Sequence, residues 1–243
     1  MSDDEKQSEK TMSEPVVVCR GVSKTYQQES VPVHALRGVD FEVYPGEFIS
    51  LSGPSGSGKS TLLNIIGGLD RPDSGSVVVD DVEYGDLSES ELADLRLRKL
   101  GFVFQAYNLI PVLSAVENVE FIMQLQGVAA AERRERAEHV LETLGLGDML
   151  HRRPGEMSGG QQQRVAVARA IVSGPVLLLA DEPSANLDSR TTEELLDLLK
   201  KLNREDGMTI VTATHDPMVM SYAERQVRLR DGAIEHDDGT QTA

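Results

Sequence analysis

The stretch that most constrains this chain is "GPSGSGKST", Gly53 to Thr61. It fits G-x-x-x-x-G-K-[ST], follows the apolar run "FISLS" and opens "STLLNIIGGL", a segment with helical apolar spacing. A strand that ends in a glycine-rich turn and restarts as a helix points backbone N–H groups into the turn, where the helix N-terminus adds positive potential. Such a loop cradles phosphate oxygens. Gly53, Pro54, Ser55, Gly56, Ser57 and Gly58 form the cradle, Lys59 would reach the β- and γ-phosphates, and the Ser60 hydroxyl, next to Thr61, would ligate Mg²⁺. Alone, the loop fits a kinase or a GTPase as well as an ATPase.

Strands and helices alternate around it. "VVVCR" (Val16–Arg20) reads as a strand, and "VDFEVYPGEFISLSG" as two strands joined by a turn at Pro45–Gly46. "SGSVVVDD" is a strand, and "SESELADLRLRKL" a helix behind a serine cap. From Ser114 to Leu144 the spacing is helical throughout, with each segment ending at a glycine. A helix follows Ser158; then come the strand "VLLLAD", the helix "SRTTEELLDLLKKLNRED", the strand "MTIVTATH" and a last strand "RQVRLRDGAI" turning at Asp231–Gly232. The order predicts an α/β core with an antiparallel N-terminal piece and a helical region inserted at about 90–165. It forms one domain over 15–235, between a disordered acidic tail at 1–14 and a flexible tail at 236–243.

"PVLLLADEPSANLD" narrows the chemistry. Apolar residues run into Asp181 and Glu182, which puts two carboxylates at the C-terminal end of a buried strand, where α/β sheets hold ligands. Asp181 is the natural partner of Mg²⁺, and Glu182 is free to orient or deprotonate the water that attacks the γ-phosphate. A nucleotide kinase would not need the second acid, so the pair favours hydrolysis. His215 closes a strand expected to run parallel to and beside "VLLLAD", so its imidazole would emerge on the phosphate edge. "MSGGQQQR", Met157 to Arg164, has the physics of a second anion site: a capping hydroxyl on Ser158, close backbone approach at Gly159 and Gly160, and a positive helix end.

Charge and cysteine exclude other classes. The chain has 24 basic and 40 acidic residues and a formal charge of −16, which argues against electrostatic binding of nucleic acid or anionic lipid. The acid is concentrated at both ends, in "SDDEKQSE" and "EHDDG". The single Cys19 cannot form an intrachain disulfide, and no apolar run approaches the roughly 18 to 20 residues of a membrane span. A soluble chain in a reducing cytoplasm is expected, with any membrane role supplied by a partner.

Taken in order, "GPSGSGKST", "VFQ", "MSGGQQQR", "LLLADEPSANLD" and "TATHD" resemble the nucleotide-binding subunit of ATP-binding-cassette (ABC) transporters over about Val16 to Ile234. The resemblance implies the ABC ATPase form of the P-loop NTPase fold: a RecA-like core with an antiparallel β subdomain and an α-helical subdomain. It implies that Tyr26 stacks on adenine and that Gln105 touches Mg²⁺ and the attacking water and senses a membrane partner. It further implies that Ser184, Asn186 and Asp188 lie in a loop crossing a dimer, and that His215 contacts the γ-phosphate. Ser158, Gly159, Gly160 and Gln161 would then serve the ATP held by a second copy of the chain. Met157 stands where leucine is usual, and "SANLD" departs from the more usual Thr-Gly-Asn, without loss of a ligating group.

"GGLDRPDSG", "FQAYNLIPVLSAVENV" and "ADEP" are most similar to the branch that pairs with lipoprotein-release, macrolide-export and cell-division permeases carrying large extracytoplasmic domains. The expectation is an ATP-hydrolysing motor working as a dimer on such a permease, at the cytoplasmic face of the membrane. Apolar positions just after Gln105 lie where the resemblance implies a permease docks, although ordinary helix packing accounts for them equally. The alternative is a soluble ABC ATPase acting on nucleic acid or ribosomes. One compact cassette, the absence of zinc spacing and long heptads, and the acidity all weigh against it, so no nucleic-acid partner is expected.

Overall fold

The computed structural model describes residues 14–28 and 31–239. Most of the acidic N-terminal segment therefore lies outside the described residues. Strands β1 (Val17–Gln28), β2 (Val31–Val43), β4 (Ser74–Val79) and β5 (Val82–Glu83) form an antiparallel sheet in the order β2-β1-β4-β5. β3 (Phe48–Ser52), β6 (Leu100–Phe104), β7 (Leu177–Asp181), β8 (Ile210–Ala213), β9 (Arg225–Arg230) and β10 (Ala233–Asp237) form the second sheet, in the order β10-β9-β3-β8-β7-β6. All neighbours in it are parallel except β9 and β10.

The central strands are buried on both faces, which is why they read as apolar runs without polar alternation. Leu177 and Leu179 of β7 face a core shared with Ile49, Leu51, the antiparallel sheet and helix α1 (Lys59–Ile66). Leu178 and Ala180 face the opposite core with helices α3 (Ala115–Leu125), α4 (Ala130–Thr143), α5 (Gly159–Ile171) and α6 (Ser189–Asp206). Helices α3, α5 and α6 start at sequence-coded caps. Ser114 and Ser158 each close a reciprocal capping box, with Glu117 and Gln161 respectively. Asp188 caps α6.

Three sequence expectations need correction. The region 90–165 is not wholly helical: α2 (Glu89–Lys99) packs Leu92 and Leu95 into the α1 core, and β6 is an edge strand of the central sheet. The separately packed helices begin at Ala115. The first strand does not stop near Arg20, because β1 and β2 make a long hairpin that carries Tyr26 and Val33 to the sheet end. Nor does the tail begin at 236. His236 and Asp237 pair with Arg228 and Val227 in β10, because the acid there answers the base of β9. The Arg225 guanidinium, about 9% exposed, binds Asp237 at 2.6 Å and Glu47 at 3.1 Å, while Glu235 pairs with Arg228 and Arg230. Burial pulls the Arg225 ionisation down, but the two carboxylates outweigh it and hold the guanidinium above its ordinary value.

Candidate nucleotide site

Strand register assembles the site. Leu51, Ala213, Asp181 and Phe104 are consecutive partners across β3, β8, β7 and β6. The residues that follow them therefore leave the sheet on one edge, at the strands' C-terminal ends. These are the loop after Ser52, then Thr214 and His215, Glu182, and Gln105. Two backbone bonds extend the ladder past the strands, from Glu182 N–H to Ala213 O (2.9 Å) and from Thr214 N–H to Leu51 O (3.0 Å).

The glycine-rich turn closes with Ser57 N–H on Pro54 O at 3.2 Å. Gly58 enters α1 with φ of 103°, and a Cβ there would lie 2.5 Å from the Ala35 carbonyl oxygen, so both conformation and space demand glycine. Lys59 is nearly buried, and its Nζ donates to Gly53 O (2.8 Å) and Pro54 O (3.1 Å), which lays the ammonium across the turn. Ser55 to Thr61 line a cavity of about 640 Å³ with Tyr26, Val33, Ala35, Gln105, Glu182, Ala185 and His215. Tyr26 and Val33 are cross-strand partners that form an apolar shelf at its mouth. The Tyr26 hydroxyl donates to Asp70 Oδ2 at 2.6 Å, and burial with the Asp70 carboxylate pushes it up to about 12.

Ser60 Oγ donates to Asp181 Oδ1 at 3.0 Å. Burial raises the Asp181 carboxyl above its usual range; Ser60 opposes the rise, Glu182 adds to it, and Lys59 opposes it. Glu182 has φ of +47°, a left-handed backbone that costs a side-chain-bearing residue about 1 kcal/mol or more. That turn lets both carboxylate oxygens be held: Oε1 lies 2.6 Å from His215 Nδ1, and Oε2 accepts from Thr214 Oγ1 at 3.3 Å. Thr214 is fully buried, and its oxygen also accepts from Asp216 N–H at 3.0 Å. Sequence reasoning passed over Thr214, although it adjoins His215 in "TATHD".

Ser158, Gly159, Gly160 and Gln161 do not line this cavity. Ser158 and Gln161 are joined to each other: Gln161 Oε1 accepts from Ser158 N–H at 2.9 Å and Gln161 N–H donates to Ser158 Oγ at 3.3 Å. Gly160 has a reason within its own chain, since a Cβ there would come 2.2 Å from Thr191 Cγ2 of α6. In the loop 183–188, Ser184 is buried, Asn186 Nδ2 donates to the Gln105 carbonyl oxygen at 2.8 Å, and Asp188 accepts from Thr191 N–H at 3.0 Å.

A parallel sheet carrying such a loop after β3 and an acidic pair after its neighbour-but-one defines a P-loop nucleoside triphosphatase. The family model described as "ABC transporter" matches residues 36–185, and the chain belongs to that family. It is 54% identical to an uncharacterized ABC transporter ATP-binding protein of Thermotoga maritima, over 88% of this chain and 91% of that one. It is 46% identical to the lipoprotein-releasing system ATP-binding protein LolD 2 of Caulobacter vibrioides, over 92% and 98%. It is 49% identical to the macrolide export ATP-binding/permease protein MacB of Syntrophobacter fumaroxidans, of which it spans 32%. The dimeric cassette MJ0796 of Methanocaldococcus jannaschii, solved in a post-hydrolysis state bound to ADP and phosphate, superposes with a TM-score of 0.84 at 46% identity, covering 91% of this chain and 97% of that one. The chain is thus an ATP-binding and ATP-hydrolysing subunit of the ABC transporter type, and the nucleic-acid alternative gains no support.

Proposed function

We propose that two copies of this chain sandwich two ATP molecules and drive a membrane permease of the lipoprotein-release, macrolide-export or cell-division type. The observation that carries the catalytic half is the Glu182–His215 contact of 2.6 Å on the rim of the cavity lined by the phosphate loop. Adenine lies against the Tyr26–Val33 shelf, loop N–H groups and Lys59 hold the phosphates, and Glu182 takes a proton from the attacking water while His215 and Thr214 fix its carboxylate.

The donor set suits Mg²⁺ bound with nucleotide. Ser60 and Asp181 offer hard oxygens already side by side, 3.0 Å apart, the kind of donor Mg²⁺ takes. Ser60 and Asp181, with Gln105 at the cavity wall, would hold the ion, whose chemistry is to neutralise charge on the β- and γ-phosphates.

Among the described residues no helix is long and apolar enough to cross a membrane, so the permease is a separate chain or segment in this reading. A second cleft of about 290 Å³ lies between α2, β6 and α3, with Leu97, Phe102, Phe104 and Ile122 in its walls and exposed Leu69 at its edge. It supports docking of a permease segment beside Gln105.

Glu182→Gln should retain ATP, abolish turnover and accumulate ATP-bound dimers on size exclusion; turnover near the wild-type rate would remove Glu182 as the base. A tagged chain should bring an integral membrane protein out of detergent-extracted membranes, whereas retained ribosomes or DNA would sink the transporter reading.

A further inference from the structure

Gln163 lies two residues beyond the "SGGQ" turn, on the inward side of α5, and is fully buried. Its Nε2 donates to the Pro183 carbonyl oxygen at 2.6 Å, and its Oε1 is buried without a hydrogen-bond partner. That combination is informative. An unsatisfied buried acceptor is costly, and a methionine would fill the same space without one, so the amide is kept for its donor. The donor fixes the Pro183–Ser184 peptide, at a proline that has no N–H of its own to anchor it and directly after a residue, Glu182, with φ of +47°.

The rest of the 183–188 loop is held by the same block. Gly160 sits in contact with Thr191, Arg164 pairs with Glu194, and Asp188 caps α6, so the first turns of α5 and α6 form one unit. A shift of the α5 N-terminus therefore has a polar route to the Pro183 carbonyl, one residue beyond Glu182.

We propose that Gln163 is a positioning residue that couples the two ATP sites of the dimer: when the α5 N-terminus of one subunit seats on the partner's ATP, Gln163 carries that seating through Pro183 to Glu182 of its own subunit. The proposal rests on the dimer reading and on Glu182 as the base. It makes the hydrolytic rate at each site sensitive to nucleotide at the other.

Gln163→Met in the full chain removes the donor at nearly constant volume, and Gln163→Asn keeps an amide one methylene short of Pro183. Each should lower kcat for ATP at least about tenfold, leave KM within about twofold, and flatten any sigmoidal dependence of rate on ATP. In the Glu182→Gln background, each should still dimerise at the same ATP concentration. A kcat within twofold of wild type would overturn the proposal. So would a loss of ATP-induced dimer in proportion to the loss of rate, which would confine Gln163 to shaping the turn. Failure of both variants to fold would make the residue structural and overturn it equally. Wild-type turnover by Glu182→Gln alone would instead remove the base, which the Gln163 variants on the wild-type background do not test.

Discussion

Thr214 has one hydroxyl proton, and the Asp216 N–H bond leaves that proton free to point at Glu182 Oε2. With His215 on the other oxygen, the carboxylate has little freedom to turn away from the phosphate edge. Thr214→Val keeps the shape and deletes the donor, so steady-state kcat should fall about tenfold with KM little changed. Thr214→Ser should recover most of it; a valine variant as fast as wild type would show the hydroxyl to be packing alone. At this scale the sequence revealed residues whose chemistry is announced by motif spacing: Lys59, Ser60, Asp181, Glu182 and His215 all meet at one edge. It did not reveal Thr214, Gln163 or the Asp70 acceptor of Tyr26, because a buried hydroxyl, one amide among three and a surface aspartate acquire meaning only from partners distant in sequence.

Elements were legible in proportion to how purely local their causes are. α6 spans the residues its periodicity marks, since a capping aspartate starts it and Gly207, with φ of 67°, stops it. The β1–β2 hairpin was not, because "TYQQESVPVHALRG" is polar and its strands are stabilised by pairing along their whole length. β10 was misread for an electrostatic reason: an acidic run looks like a solvated tail until the buried Arg225 is known to lie opposite. Asp237→Asn should therefore be felt in stability, by about 2 kcal/mol or roughly 6 °C in thermal midpoint, with ATP affinity unchanged. An unshifted midpoint would return residue 237 to the tail. Enlarging Gly160 overpacks against Thr191 within one subunit, whereas Ser158 is exposed and closes a capping box with Gln161.

Over the whole molecule, the parallel sheet divides the labour. One edge gathers the glycine-rich loop, the acidic pair and His215, while the capped N-terminus of α5 stands outside that cavity. The separation of the two anion-type turns was readable from the order of motifs, and the similar cassette MJ0796 is dimeric. The placement of β6 in the sheet was not readable, because five residues carry too little pattern to separate a strand from a helix. In the proposed dimer each hydrolytic site is built from two subunits. Mixing two variants tests it most directly: Glu182→Gln, defective in its own cavity, and Ser158→Arg, defective in what it lends. In a mixed dimer one site combines both defects and the other has neither. Two preparations inactive alone should regain ATP turnover on mixing, in proportion to the mixed dimer formed. A mixture that forms mixed dimers and stays as inactive as its components would contradict it.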